Sequence, residues 1–467
     1  MHCGPLLDTL FKSATLNTTP MSGTVFKFNR RTHGWTGLAL LLLITGCLSV
    51  QAEPPAAKSR EVLVQYSGQA LGELKPCGCA KEEDQGGVER RMGFFSTPQE
   101  QGVSIVRVDL GDNFKEASRQ GRLKGETMVR AMAQMNYDAV VLGEKDLVYG
   151  NSFLQELPAL PWTSANVQVE GWKTAPYIVK RFPDGLTIGL ISVAEPELLY
   201  AGHDSGIQVL APKKALDRWL PKLKAERPDL VVLLTHMEKE SALELLNTEG
   251  VDLVINGHIK NDQHLVDFTP QQRDGKFFAQ PGPRGQKLGN LRITLNPDGT
   301  KAFAPQIVAL DSKVPSDPGM TALYEQYNAG VEELFLESLK ARRGKMKSVY
   351  ATDTACKTCH AEAHEKWEQS RHGHAYNTLK KVNKAFDPEC LVCHTTGFNK
   401  TGGFLSEVDT PELENVQCEV CHGPRREHAQ SPSGGFAKEA RQACGQCHVR
   451  NHSPNFDYTT YWPRIAH

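Results

Sequence analysis

The 467-residue chain reads as two folded units in series: an α/β sandwich over residues 61–312 and a mostly helical unit over 348–467. Two observations predict this order. Up to about residue 310, short runs rich in Val, Ile and Leu alternate with stretches of helical period, the pattern of an α/β fold. Beyond residue 350 that alternation stops, and one pentapeptide, Cys-x-x-Cys-His, occurs four times. Residues 1–52 read as a leader, 53–60 as a tether, and 313–347 as a linker helix between the two units.

The leader has the layout of an export signal. Lys27, Arg30 and Arg31 form a basic n-region, and Gly37 to Val50 form an apolar stretch too short for a comfortable membrane span. Met21 is a better start than Met1, because it leaves a conventional n-region. Two processing sites compete. Ile44-Thr45-Gly46-Cys47 resembles a lipobox, which would make Cys47 a lipidated N-terminus and attach the protein to a membrane. Val50-Gln51-Ala52 before Glu53 fits ordinary small-residue cleavage, with Cys47 then a passive apolar residue in a discarded leader. The lipoprotein is the favoured reading. Residues Ala52 to Arg60, with Pro-Pro-Ala-Ala, read as the tether.

Six stretches then read as short buried strands: Glu61 to Tyr66, Val103 to Leu110, Asp138 to Leu142, Leu186 to Val193, Asp229 to Leu234 and Val251 to Ile255. Gly125 to Met135 and Pro212 to Glu226 are among the helices between them. Acidic or polar side chains follow several strand ends, where open α/β sheets bind ligands.

Those strand ends carry a resemblance. Leu110-Gly111-Asp112-Asn113, Gly143-Glu144-Lys145-Asp146, Ser164-Ala165-Asn166, Leu234-Thr235-His236 and Asn256-Gly257-His258-Ile259-Lys260 are similar, in order and spacing, to motifs of the calcineurin-like metallophosphatase domain of 5′-nucleotidases. The resemblance covers residues 60–312 and implies a four-layer αββα sandwich with a two-metal site. The nucleotidase's separate substrate-binding domain is missing. Departures from the family matter more than matches. Its first motif, Asp-x-His after the first strand, is replaced by Ser67-Gly-Gln-Ala-Leu-Gly72. Its catalytic Asn-His is Glu144-Lys145, and the second His of its Gly-His-x-His is Lys260. Lysine cannot take over the role of that His in the same way. Asp112, Glu144, His236 and His258 remain, and two imidazoles with two carboxylates could still hold one divalent ion. Against that stands a pseudo-enzyme whose polar strand ends are merely solvated.

One further stretch is Lys75-Pro76-Cys77-Gly78-Cys79-Ala80, ahead of Gly86-Gly87-Val88-Glu89-Arg90-Arg91. In an oxidising compartment the Cys-x-Cys could form a reducible disulfide, bind a soft metal or carry sulfur, or be a plain structural crosslink.

The four pentapeptides are Cys356-Lys-Thr-Cys359-His360, Cys390-Leu-Val-Cys393-His394, Cys418-Glu-Val-Cys421-His422 and Cys444-Gly-Gln-Cys447-His448. In a c-type haem site the two thiols form thioethers with the porphyrin, and the adjacent His is held beneath the iron as its proximal ligand. Zinc knuckles use paired Cys-x-x-Cys but do not require a His after every second Cys. A disulfide framework would not repeat one pentapeptide. Four covalent haems follow. Ten of the sixteen histidines lie beyond Tyr350, and six of those fall outside the motifs: His364, His372, His374, His428, His452 and His467. Such a surplus fits bis-histidine irons, each of which needs a distal imidazole. Aliphatic residues are sparse here, so the porphyrins are expected to form the core.

The local sequences resemble the tetrahaem cytochrome c family of the electron carrier linked to hydroxylamine oxidoreductase. The resemblance rests on Trp367-Glu-Gln-Ser370-Arg-His372-Gly-His374-Ala375, Cys418 to Pro424 with His428, Phe456, and Tyr461-Trp-Pro-Arg-Ile-Ala-His467. It implies distal ligands at His372, His428 and His467, and a five-coordinate haem, with the one on Cys390/Cys393 the candidate. His374 competes with His372, and His364 or His452 could fill the fourth site.

A net charge of −1 gives no bulk attraction for a polyanion, so nucleic acid is not an expected partner. Haem is attached to such motifs outside the cytoplasm, so the chain is expected in the periplasm or as a lipoprotein on the outer membrane or surface of a bacterium. The leading expectation is an electron-transfer protein with redox partner proteins. A redox enzyme acting on a small nitrogen or sulfur compound at an open haem or at Cys77/Cys79 is the first alternative. A working phosphoesterase fused to a cytochrome is the second.

Overall fold

Strands run through all six apolar stretches, and eight more lie between and after them. The computed structural model describes residues 58–467 except 77, 99, 101, 201–205, 261–266, 345–346 and 433–440. The leader, Cys47 with its lipobox, the tether as far as Ala57, and Cys77 lie outside the described residues. The strands are β1 (Arg60–Ser67), β2 (Ser104–Asp109), β3 (Ala139–Val141), β4 (Trp162–Thr163), β5 (Val167–Val169), β6 (Tyr177–Arg181) and β7 (Thr187–Ala194). They continue as β8 (Ile207–Val209), β9 (Leu230–His236), β10 (Leu253–Asn256), β11 (Gln271–Arg273), β12 (Lys276–Ala279), β13 (Lys287–Leu295) and β14 (Lys301–Ala309).

Two six-stranded sheets result, ordered β14-β13-β1-β2-β3-β4 and β11-β12-β10-β9-β7-β6. In the first, β1 to β4 are parallel and β13 joins β1 antiparallel; in the second, β7, β9, β10 and β12 are parallel. Parallel strands covered on both faces carry unbroken apolar runs. Every residue of β7 and β9 is accordingly buried. Val64, Val106, Val108, Leu190, Val232 and Ile255 meet in the core between the sheets. The Arg119–Gln134 helix packs outside the first sheet and the Pro212–Ala225 helix outside the second. The architecture is the four-layer αββα sandwich.

The helix expected to be a mere linker is more than that. Pro318–Arg342 starts with Asp317 accepting from the Met320 amide (3.0 Å) and Pro at its first position. It buries Met320, Leu323, Tyr327, Val331, Phe335 and Leu339, one face of an α-helix. The first four belong to the helical layer of the sandwich, while Phe335 and Leu339 belong to the next core. That core also holds Tyr350, Tyr376, Leu379, Leu391, Phe398, Phe404 and Leu413. The C-terminal half therefore has a small protein core of its own, which corrects the expectation of an interior made only of porphyrin. It ends early: among the described residues, no buried apolar side chain lies beyond Val416.

The two halves meet in one compact unit, Ala57–His467. Lys124 Nζ lies 2.6 Å from Glu389 Oε2, and Lys115 Nζ lies 3.5 Å from Glu389 Oε1. Gln120 Nε2 donates to Asp387 Oδ1 (2.9 Å), and Lys384 Nζ to Asn328 Oδ1 (2.6 Å). Glu389 immediately precedes Cys390, so the second Cys-x-x-Cys-His is fastened directly to the sandwich. No described helix is long and apolar enough to cross a membrane.

Phe153 anchors the layer behind the Asp112 loop. It is fully buried, with ring centroids 5.5 Å from Phe114 and 5.0 Å from Tyr149. Phe153→Ala should cost about 3–5 kcal/mol, read from the midpoint of urea unfolding. A change under about 1 kcal/mol would mean that the site collapses without a cavity.

Candidate functional site

Four side chains from four strand ends converge in the sandwich. Asp112 follows β2, Glu144 follows β3, His236 ends β9, and His258 lies just past β10. Their ligand-type atoms all lie within 4.8 Å of one another, a grouping that could hold a metal ion. The backbone is shaped to allow it. Asp112 has a φ of +58°, a left-handed conformation that a short polar side chain tolerates better than most. Gly143 leaves room for it: a Cβ there would lie 2.2 Å from Asp112 Oδ1 and 2.7 Å from His236 Cε1.

Hydrogen bonds fix each group. His236 Nδ1 donates to the Leu110 carbonyl (2.9 Å), so Nε2 faces Glu144 Oε2 at 2.6 Å and Asp112 Oδ2 at 3.5 Å. His258 Nδ1 lies 3.4 Å from Glu144 Oε1, without hydrogen-bond geometry. Asp112 Oδ1 accepts from the Lys145 amide (2.9 Å). Behind them Asp146 accepts from the amides of Asp112, Asn113 and Gly143 and so ties the two loops together. Burial, with the nearby Asp112 charge, pushes Asp146 up to about 8 against those three donors. Burial alone would raise Glu144, but the hydrogen bond from His236 and the electrostatic influence of both imidazoles hold it well below the carboxylate range. Burial opposes protonation of His236, yet Asp112 and Glu144 together raise its pKa well above the usual value. The site is a cation's environment.

The positions where the sequence departs from the metallophosphatase pattern carry no such donors. Ser67 Oγ donates to Asp109 Oδ2 (2.6 Å), and Gln69 Nε2 donates to the Ile259 carbonyl (2.9 Å). Lys260 Nζ pairs with Glu238 (3.3 Å) from an 81% exposed side chain. Sequence reasoning named Arg91 in the Gly-Gly-x-x-Arg-Arg stretch but missed that it is fully buried with Nη1 3.8 Å from Asp109. It also missed Lys124 and Glu389, which no local pattern marks.

In the C-terminal half none of the eight motif cysteines is joined in a disulfide. Thiol contacts pair Cys356 with Cys418 and Cys393 with Cys447, which brings the first motif beside the third and the second beside the fourth. Three motif imidazoles each face one non-motif imidazole. Ring centroids are 6.4 Å apart for His360 and His428, 5.9 Å for His422 and His467, and 6.1 Å for His448 and His372. Burial lowers the pKa of His372 and His422, and the facing His448 and His467 lower them further. Burial also lowers His448. The neutral ring is the form that binds iron.

His394 differs. Its Nδ1 donates to the Ala375 carbonyl (2.8 Å), the arrangement that leaves Nε2 for a metal. No imidazole stacks opposite it among the described residues. His364 and His452 are the two candidates for a fourth distal site. His364 is buried and bonded to Asp353 Oδ2 (3.1 Å), and His452 is exposed beside Glu73, Arg284, Lys115 and Glu389. His374 is exposed. Cys79 is disulfide-bonded and exposed, with its partner outside the described residues.

Together the fold and the sites define a cytochrome fused to a phosphoesterase-like domain. Residues 355–423 match the family described as cytochrome c554 and c-prime. Cytochrome c-554 of Nitrosomonas europaea is 27% identical over 150 residues, covering 24% of this chain and 64% of that protein. The 5′-nucleotidase of Homo sapiens is 22% identical over 355 residues, covering 69% of this chain and 59% of the enzyme. The 5′-nucleotidase precursor from Thermus thermophilus superposes with a TM-score of 0.51 at 18% identity, over 62% of this chain and 61% of that one. The C-terminal region is thus homologous to cytochrome c-554, which implies haem c. The N-terminal region resembles the calcineurin-like metallophosphatase part of 5′-nucleotidases. This chain spans less than two thirds of each of these three proteins.

Asp387, Lys384, Glu389 and Lys124 all act electrostatically on Cys390. If a haem is carried on Cys390/Cys393, Lys124→Met removes one positive charge beside it and should lower its midpoint potential by on the order of 50 mV. Lys124→Arg should retain most of it. A potentiometric titration in which Lys124→Met leaves every midpoint unmoved would contradict this.

Proposed function

We propose that the protein is an exported tetrahaem c-type cytochrome that transfers electrons, joined to an α/β domain that no longer hydrolyses phosphoesters. The observation that carries this reading is the three facing imidazole pairs. Two imidazoles bound from opposite sides of one metal, at about 2 Å per bond and about 1 Å more to each ring centre, stand about 6 Å apart between centres. The spacings of 5.9–6.4 Å match that separation. On this reading haems sit on Cys356/Cys359, Cys390/Cys393, Cys418/Cys421 and Cys444/Cys447. The first, third and fourth irons are ligated by His360 and His428, His422 and His467, and His448 and His372. His467 Nδ1 donates to the Ile465 carbonyl (2.9 Å), which leaves Nε2 for the iron. The contacts of Cys356 with Cys418 and of Cys393 with Cys447 support close haem packing, which suits rapid electron passage to redox partner proteins.

The leader sequence supports export, with the lipobox at Cys47 giving a membrane-attached periplasmic or surface lipoprotein. The α/β domain would serve as a docking and supporting body for the haems. Hydrolysis in the metallophosphatase family needs a bridging carboxylate between two metals and a His that protonates the leaving oxygen. Here Lys145 replaces that His, and the Asp-x-His of the first motif is gone.

A second reading is favoured by His394 alone. With no facing imidazole among the described residues, its iron keeps one position open. That haem could act on a small nitrogen or sulfur compound while the other three remove electrons. Carbon monoxide binding to one haem in four supports the open position, and none would remove this reading.

Mass spectrometry of the mature protein should show four covalent haems. His428→Ala and His467→Ala should each turn one low-spin iron high-spin in the electron paramagnetic resonance spectrum. Fewer than four haems, or an unchanged spectrum in either variant, would overturn the assignment.

Nucleotide and phosphodiester substrates should show no turnover with manganese, zinc or calcium. Turnover that disappears in Asp112→Asn would instead make the protein a phosphoesterase.

A further inference from the structure

The metallophosphatase fold implies two metal ions, and the residues here fit only one. We propose that the α/β half binds a single divalent first-row cation on Asp112, Glu144, His236 and His258, and that the region of the family's second ion no longer holds one. The proposal does not depend on the haem reading.

The first part rests on the donor set. His236 gives Nδ1–H to the Leu110 carbonyl and therefore turns Nε2 towards two carboxylate oxygens, Glu144 Oε2 and Asp112 Oδ2. A carbonyl acceptor behind a metal-ligating imidazole is the arrangement that orients such ligands. Asp112 is aimed in the same way, with Oδ1 held by the Lys145 amide and Oδ2 left for the site. His258 adds an independent observation. It is only 7% exposed, and its Nδ1 has no hydrogen-bond partner, although it points at the cluster 3.4 Å from Glu144 Oε1. An unmatched buried imidazole nitrogen is costly, and a cation shared with the neighbouring carboxylates would satisfy it. Glu144 stands where the metallophosphatases have an Asn ligand. Its longer, charged side chain reaches both imidazoles, which makes the four residues a set of two nitrogens and two oxygens. Imidazoles suit zinc, iron, nickel or copper, whereas calcium and magnesium prefer oxygen alone.

The second part rests on what fills the other position. The stretch Ser67 to Gly72, which stands in place of the family's Asp-x-His, offers no carboxylate and no imidazole. A Cβ on Gly68 would already lie 3.0 Å from Leu110 Cβ. Gln69 is tied to the Ile259 carbonyl, and the Lys260 ammonium is outside with Glu238. Arg91 and Ala70 both border Gly285: a Cβ built there would meet Arg91 Nη2 at 2.6 Å and the Ala70 Cα at 3.5 Å. A fixed positive charge beside Ala70, 3.8 Å from Asp109, neutralises the carboxylate and repels a second cation.

Isothermal calorimetry of the full haem-loaded protein, stripped with a chelator and titrated with zinc, tests both parts. One zinc per chain is expected. His258→Ala should weaken its binding about tenfold or more, while the haem absorbance and circular dichroism of the metal-free variant stay unchanged. Where His258→Ala does not fold, Glu144→Gln read in the same way takes its place. No zinc bound by the wild type, or equal affinity in the folded variant, would overturn the site. Two zinc ions per chain, both lost in Asp112→Asn, would overturn the single-ion assignment.

Discussion

A folded chain needs an interior, and beyond Val416 the described side chains of this one do not supply it. Tyr376, Leu391, Phe404 and Leu413 build a small core with Phe335 and Leu339 from the long helix. After Val416 the described residues bury no further apolar side chain, yet the third and fourth Cys-x-x-Cys-His lie there, with facing imidazoles from three different stretches. Rings spaced for a metal between them, and thiols from different motifs in contact, are the framework of a domain whose missing volume is prosthetic group. The burial of porphyrin supplies what aliphatic burial supplies elsewhere.

That framework does not stand alone. Its best-packed part leans on the sandwich through the Pro318–Arg342 helix, which serves two cores at once. Glu389 adds a second fastening, between Lys115 and Lys124 and one residue from Cys390. Lys124 is 9% exposed, so its ammonium persists there only because the carboxylate meets it. A fixed charge so near a haem attachment point is both a structural tie and an electrostatic influence. The sandwich is thereby tied, structurally and electrostatically, to the cytochrome half.

Inside the sandwich, the same logic of charge explains a partial loss. Parallel strands bring polar residues to one edge, and this arrangement outlives any particular catalytic residue. Asp109 is met by the Arg91 guanidinium at full burial, 3.8 Å away. The other half of the site kept two carboxylates and two imidazoles in register, with Asp146 binding both loops through three amides.

The sequence by itself determined what five consecutive residues can encode. Each Cys-x-x-Cys-His declares its own chemistry, and the strand stretches declare theirs through continuous apolar runs such as Leu186 to Val193. Asp112, Glu144, His236 and His258 were legible because each sits in a short motif at a strand end. Only the tertiary structure decided which imidazole faces which, because His372 and His448 are joined by no local pattern. It also decided that the linker helix belongs to two cores, that Lys124 meets Glu389, and that Arg91 stands beside Asp109. Those outcomes depend on contacts between residues far apart in the chain, where burial and charge pairing select partners that neither spacing nor composition can mark.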